Sequence, residues 1–352
     1  MKDILVDHTH CGRHVTGLER ITLELFSPAA LAPLPVTPVR AKTRLDMMLR
    51  QTLQLPAQTL MTPGSLLLCP GFPPSFLATL LGAQVLPYVH DLFLITRAQD
   101  LNLRARLYMA APFRFAVRNL PRFLVNSQTT ADELRRFCRS DAEITLYRPQ
   151  VGNVFGLADE ARAGRSALAG PALVALGTVE PRKNLFAAAA IVTALRAQGL
   201  AGATLDIVGR PGWGVDMDRL AVVPGVTLHG YQPQERVRAL VDAADCLIST
   251  SHDEGLGLPL LEAQYGGLAV VAPDKPVFRE VLAGSGLLVD AGNADASAQA
   301  IAAMLAAPNW RLRQAQAARA NLARWNRAAA QDRDHVINLI AGLAGEPARA
   351  PC

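Results

Sequence analysis

The chain has 352 residues, 50% apolar and 18% charged, enough for two domains that each bury a core. Its net charge of +5 is uneven: residues 1–165 hold 19 Lys and Arg against 13 Asp and Glu, the remainder 16 against 17. A surplus that small excludes a nucleic-acid footprint and fits an anionic membrane surface or a phosphorylated substrate.

Short β-rich runs alternate with helical stretches, the pattern of an α/β protein with parallel sheets. Residues 4–9, 65–69, 85–90, 123–127 and 143–146 read as strands in the first half. Residues 156–171, rich in small and polar side chains, read as a linker. The strands of the second half are 173–179, 204–208, 226–229, 245–250, 268–272 and 286–290. Residues 184–199 read as a helix, with Asn184 as its cap and Gly199 at its end. One long helix runs from Asn309 to about Leu343, followed by a frayed tail, GEPARAPC. No run approaches 18 apolar residues, so no membrane span is expected. The opening MKDILVDHTHCG has no apolar leader segment. Cys11, Cys69, Cys138, Cys246 and Cys352 form no CxxC pair, which fits free thiols in a reducing cytoplasm.

The most informative stretch is STSHDEGLGLPLLEAQYGG, residues 249–267. A β-run leads into a Gly-rich loop, and Pro259 suits the first turn of a helix, where its missing N–H costs nothing. Gly255, Leu256, Gly257 and Leu258 then sit at a helix N-terminus whose N–H groups attract anions. Glu254 and Glu262 flank that seat, and carboxylates accept hydrogen bonds from vicinal sugar hydroxyls. Together they suit a ligand carrying both sugar and phosphate. The alternative is an ordinary strand–loop–helix with surface carboxylates.

The segment HDEGLGLPLLEA resembles the signature of glycosyltransferase family 4, retaining enzymes of GT-B fold with two Rossmann-like domains facing across a cleft. The resemblance implies that Glu262 binds nucleotide ribose hydroxyls, and that Glu254 with the amides of Gly255, Leu256 and Gly257 holds the donor sugar. It also pairs this motif with a basic loop, here VALGTVEPRKN, in which Gly177, Arg182 and Lys183 follow a strand. Cations at a strand's carboxyl end sit where α/β proteins bind ligands, and would neutralise a diphosphate. The family's commoner pattern has an Arg just after the Gly, where this chain has Thr178. Lys183 matches the family's Lys, and Arg182 is the candidate replacement; solvated charges before a helix are the alternative. In VGRPGW, residues 208–213, Arg210 follows a strand near the expected base site, with and without a direct role equally open. His229, Gly230 and Tyr231 border the base or serve structure.

In the first half, the resemblance implies that Gly17 approaches the donor phosphates and that His90, ending a strand, is a catalytic contact to the donor sugar. A helix-starting glycine and a structural histidine are the alternatives. Asn126 and Ser127 line the acceptor side or pack and cap. Asp7, His8, His10, Cys11 and His14 invite a metal reading, because His8 and His10 would share a strand face. No second ligand pair accompanies them, and no metal is expected. Residues 102–122 mix Arg104, Arg106, Arg114, Arg118 and Arg122 with Leu, Tyr, Met and Phe, and Pro112 kinks the run. An anionic membrane surface and an amphipathic core helix fit equally.

The expected architecture is an acceptor domain over 1–160, a sugar-nucleotide domain over 170–315, and a helix over 316–345 returning to the first domain. The implied activity is retaining transfer of a hexose, mannose for preference, from a nucleoside-diphosphate sugar to a saccharide or lipid-linked acceptor in polysaccharide or lipopolysaccharide assembly. It is placed in the cytoplasm, with peripheral contact to the inner membrane face open, and without nucleic acid, metal or other cofactor. A sugar-nucleotide epimerase and a non-catalytic sugar-nucleotide-binding subunit are the rivals. A Rossmann oxidoreductase would need a GxGxxG fingerprint after the first strand, which is absent.

Overall fold

The computed structural model describes residues 3–12, 17–62, 64–98, 103–158, 170–212, 214 and 217–345. Of the sequence expectations, His14, Asn102, Trp213, linker residues 159–169 and tail residues 346–352 lie outside the described residues. By its internal contacts the chain forms two compact units. One is Met1–Pro149 with Ala328–Cys352; the other is Gln150–Arg327.

The first unit holds a parallel sheet of β1 (Ile4–Asp7), β2 (Val36–Val39), β3 (Leu66–Cys69), β4 (Val85–Val89), β5 (Arg122–Val125) and β6 (Glu143–Leu146), in the order β2-β1-β3-β4-β5-β6. Its central strands, ILVD, LLLC and VLPYV, are buried along their whole length, as a parallel sheet covered on both faces requires. The sequence reading missed β2, because VTPV carries Pro38. The strand lies at the sheet edge, where a residue without an N–H is tolerated.

The second unit repeats the plan with β7 (Ala172–Leu176), β8 (Thr204–Val208), β9 (Val226–Gly230), β10 (Cys246–Ile248), β11 (Ala269–Pro273) and β12 (Leu287–Val289), ordered β12-β11-β10-β7-β8-β9 and parallel throughout. Leu173, Ile207 and Ile248 of this sheet pack with Ile191, Val192 and Leu195 of the helix Leu185–Ala197. Asn184 precedes that helix with a left-handed backbone, φ 48°, and its side chain makes no capping hydrogen bond. The expected side-chain cap is therefore corrected: Asn184 bends the chain into the helix, a conformation Asn tolerates better than most residues.

In each sheet the strand order reverses once, between β1 and β3 in the first and between β7 and β10 in the second. Open α/β sheets bind ligands outside the carboxyl ends of the strands at such points. Residues 150–158 belong to the second unit: Tyr265 Oη donates to the Val151 carbonyl at 2.5 Å, as does Asn326 Nδ2 at 3.0 Å. The last helix, Trp310–Leu343, counts with the second unit up to Arg327 and with the first from Ala328. Among the described residues no helix is long and apolar enough to cross a membrane.

Candidate functional site

The loops leaving β7 and β10 bring Glu180, Arg182, Lys183, Ser251 and Glu254 together at the reversal point of the second sheet. Lys183 Nζ donates to Glu254 Oε1 in a short ion pair, and Arg182 Nη1 reaches Glu254 Oε2 at 3.0 Å. Arg182 also binds Glu180 Oε1 through Nη2 at 2.9 Å and the Asp253 carbonyl at 3.1 Å. Ser251 Oγ donates to Glu254 Oε1 at 2.8 Å. Burial pushes the Glu254 carboxyl up, but Lys183 and Arg182 beside it, with the hydrogen bonds from Lys183 and Ser251, outweigh that and hold it below its usual value.

Further hydrogen bonds join the two loops besides the ion pairs. Thr250 Oγ1 donates to the Asn184 carbonyl at 2.8 Å and the His252 amide to the Arg182 carbonyl at 2.8 Å, which stitches the two loops together. A second seam joins the loops after β7 and β8: the Val179 amide donates to the Arg210 carbonyl at 2.9 Å and the Gly212 amide to the Val179 carbonyl at 3.0 Å. That seam depends on Gly209, where a Cβ would lie 1.8 Å from the Gly177 carbonyl oxygen. Gly209→Ala forces one backbone segment to move. It should cost about 3 kcal/mol, the upper end for overpacking, read as a lower urea midpoint at unchanged m-value. A midpoint within error of wild type would show that the seam yields freely.

The helix Leu258–Gln264 opens without a side-chain cap, from Gly257 at φ 71°. Leu256 is buried, and Glu262 is only 3% exposed. The alternative of surface carboxylates is thus set aside for both glutamates, since the Glu254 side chain is 10% exposed. The lysine, the arginine and Glu254 converge as the motifs suggested. Arg210 does not join them: its side chain is exposed and its guanidinium lies 4.7 Å from the centre of the Tyr231 ring. His229 Nε2 is held by the Asp206 carboxylate at 2.6 Å, a structural partner that the sequence reading did not foresee.

In the first unit, His90 follows β4, and its Nε2 donates to the Pro70 carbonyl, 2.7 Å away, since a carbonyl only accepts. Burial lowers its pKa to about 4, so the ring is neutral at neutral pH and faces a cavity shared with Gly71, Tyr88, Met109 and Phe113. Asn126 Nδ2 donates to the His90 carbonyl at 2.7 Å, and Ser127 caps the helix Gln128–Leu134 by accepting from the Thr130 amide. Gly17 opens the helix Gly17–Phe26, with nothing within 4 Å of a Cβ placed there. The fold itself makes no steric demand for glycine at that position.

The shared strand face proposed for His8 and His10 is corrected. β1 stops at Asp7, because Thr9 turns back and donates to Asp7 Oδ1 through its amide at 2.9 Å and its hydroxyl at 2.6 Å. Gln51 Nε2 donates to Asp7 Oδ2 at 2.9 Å, and Tyr108 Oη donates to Gln51 Oε1 at 2.6 Å. This buried chain of polar groups escaped the sequence reading, since 57 positions separate Tyr108 from Gln51. Among the described residues no group of three His, Cys, Asp or Glu is placed to hold a metal ion.

Residues 160–321 match the family model of glycosyl transferases group 1. The chain is 35% identical over 133 residues to the serotype-specific mannosyltransferase WbdA of Escherichia coli, covering 36% of this chain and 16% of that protein. It is 32% identical over 141 residues to the O-antigen chain mannosyltransferase B of Escherichia coli, covering 39% of this chain and 37% of that one. The chain therefore spans well under two thirds of either relative. Among solved structures, sucrose-phosphate synthase from Thermosynechococcus elongatus aligns with a TM-score of 0.70 at 19% identity, over 97% of this chain and 100% of that one. The chain has the GT-B fold, and over residues 160–321 it resembles the glycosyl transferases group 1.

Proposed function

We propose that this protein is a retaining glycosyltransferase of family 4 that moves mannose from a nucleoside-diphosphate sugar to a saccharide or lipid-linked acceptor in cell-surface polysaccharide assembly. The observation that carries the reading is the convergence of Arg182, Lys183 and Glu254 at the reversal point of the second sheet, with Glu262 buried on the helix Leu258–Gln264 that follows the Glu254 loop. In this reading Lys183 and Arg182 take the donor diphosphate. Glu254 and the Gly255–Gly257 amides hold the sugar, and Glu262 binds the ribose hydroxyls. The acceptor hydroxyl attacks the anomeric carbon on the face the diphosphate leaves, and a diphosphate oxygen takes the hydroxyl proton. The two cations meet the charge that develops on the leaving group, so the reading asks for no metal. Mannose and O-antigen assembly come from the two mannosyltransferase relatives. Cys11, Cys69, Cys138 and Cys246 are free thiols, which fits work in the cytoplasm.

The test is a thermal-shift panel of GDP-, UDP- and dTDP-sugars on the wild type and on Glu262→Ala. A cognate donor at 100 times its Kd adds about 2.7 kcal/mol of stability. Loss of hydrogen bonds to a charged group costs about 1.5–3 kcal/mol, a roughly 10- to 100-fold weaker Kd for the variant. Equal affinity removes Glu262 from the ribose role. Turnover of the donor without any acceptor dependence would move the protein to epimerase chemistry.

A further inference from the structure

Eleven of the sixteen large apolar side chains exposed among the described residues lie between Leu45 and Leu107, all in the first unit. Leu45, Met61, Leu80, Leu103 and Leu107 are each 64% to 81% exposed. Leu45 and Met61 belong to the helices Arg44–Leu49 and Leu55–Met61, Leu80 follows the helix Phe76–Thr79, and Leu103 and Leu107 belong to the segments Leu103–Ala105 and Arg106–Ala110. The helix Phe76–Thr79 packs on one side against the segment Arg50–Gln54 and on the other against the helix Ala111–Asn119. Phe76 closes a groove on this face with Leu103, Leu107 and Phe115, and its ring lies 5.3 Å from that of Phe115.

The stretch of chain that supplies this face is also basic. Between Arg40 and Arg122 the chain holds ten Lys and Arg against three Asp, a surplus of seven, larger than the +5 of the whole protein. Arg106, Arg114 and Arg118 line the groove, and none has an acidic partner among the described residues. We propose that this face docks the protein onto a bilayer rich in anionic lipid. Leucines at that depth reach the acyl boundary, while guanidinium groups on long apolar stems meet the phosphates. A second copy of the chain is the poorer occupant, because a two-fold contact would bring the same unpaired arginines against each other. Within the 102–122 segment, for which the sequence left a membrane-facing helix and an amphipathic core helix equally open, the described side chains divide. Phe113, Ala116 and Val117 enter the core while Leu103, Arg106, Leu107, Arg114 and Arg118 face outward.

The test is co-sedimentation of the full chain with vesicles of phosphatidylcholine alone or with added phosphatidylglycerol, a readout independent of donor and transfer. Binding is expected only to the anionic vesicles, and salt should remove it. The triple variant Arg106→Gln, Arg114→Gln, Arg118→Gln should lower the partition coefficient by about 100-fold, at a factor of about five per basic residue. Leu77→Ser, Leu80→Ser and Leu107→Ser together should also weaken binding without lowering Tm, since these side chains are exposed in the free protein. No sedimentation with anionic vesicles at low salt overturns the proposal, as does binding that survives the arginine triple variant. Self-association in the absence of vesicles, abolished by the leucine variant, would assign the face to a second copy instead.

Discussion

Lys183→Ala and Arg182→Ala each lower turnover by roughly 10²–10³, while affinity for the intact donor changes less. The reason lies in where charge grows. As the sugar leaves, its bond electrons pass to the diphosphate, so a cation placed beside that group gains more in the transition state than in the bound donor. The structure puts both cations on one short loop that the Thr250 and His252 hydrogen bonds hold in place, so neither has to be ordered at the moment of reaction. Single-turnover rates with the cognate donor check this. If only Lys183→Ala has the effect, Arg182 is a positioning residue that ties Glu180 and the Asp253 carbonyl to Glu254. If neither variant slows the chemical step, the diphosphate lies elsewhere.

Glu254→Gln should produce two opposite changes. The ligand-free protein should lose about 2 kcal/mol, below the 3–5 typical of breaking a fully buried pair, because Arg182 and Lys183 keep 27% and 18% of their side-chain surface exposed. Affinity for a free nucleoside diphosphate should rise about tenfold, since the internal rival for the two cations has gone; a tenfold change is about 1.4 kcal/mol. Turnover should still fall, because the carboxylate assigned to the sugar is lost. The pH dependence of the wild type has a definite sign. Glu254 titrates lower in the folded than in the unfolded chain, so its contribution is present above the unfolded value of about 4.3 and fades as pH falls through the folded one. Denaturant titrations with and without nucleoside diphosphate read both effects. Unchanged stability together with unchanged affinity would mean that solvent already screens the pair.

Much of this site was legible in the order of residues. Strand ends, glycines and charges in VALGTVEPRKN and HDEGLGLPLLEA mark two loops whose chemistry can be stated from local pattern. What local pattern omits is contact between them. Lys183 and Glu254 are 71 positions apart, and they meet only because β10 is inserted beside β7 rather than beside β9. Arg210 shows the converse case: a cation at the right kind of strand end is turned onto Tyr231. Pro38 hid an edge strand, and Asn184 promised a cap where the chain needed a left-handed bend. Exposure of Leu45 through Leu107 was equally unreadable, since a leucine on a helix carries no mark of which neighbours cover it.

Glu180, Arg182, Lys183 and Glu254 form an electroneutral quartet, two positive charges against two negative. From a Debye length away, about 8 Å at physiological ionic strength, such a quartet projects almost no field. The quartet itself therefore adds little long-range pull on an anion. In the proposed donor site discrimination is deferred to contact, where a diphosphate would have to displace two carboxylates from the same guanidinium and ammonium groups.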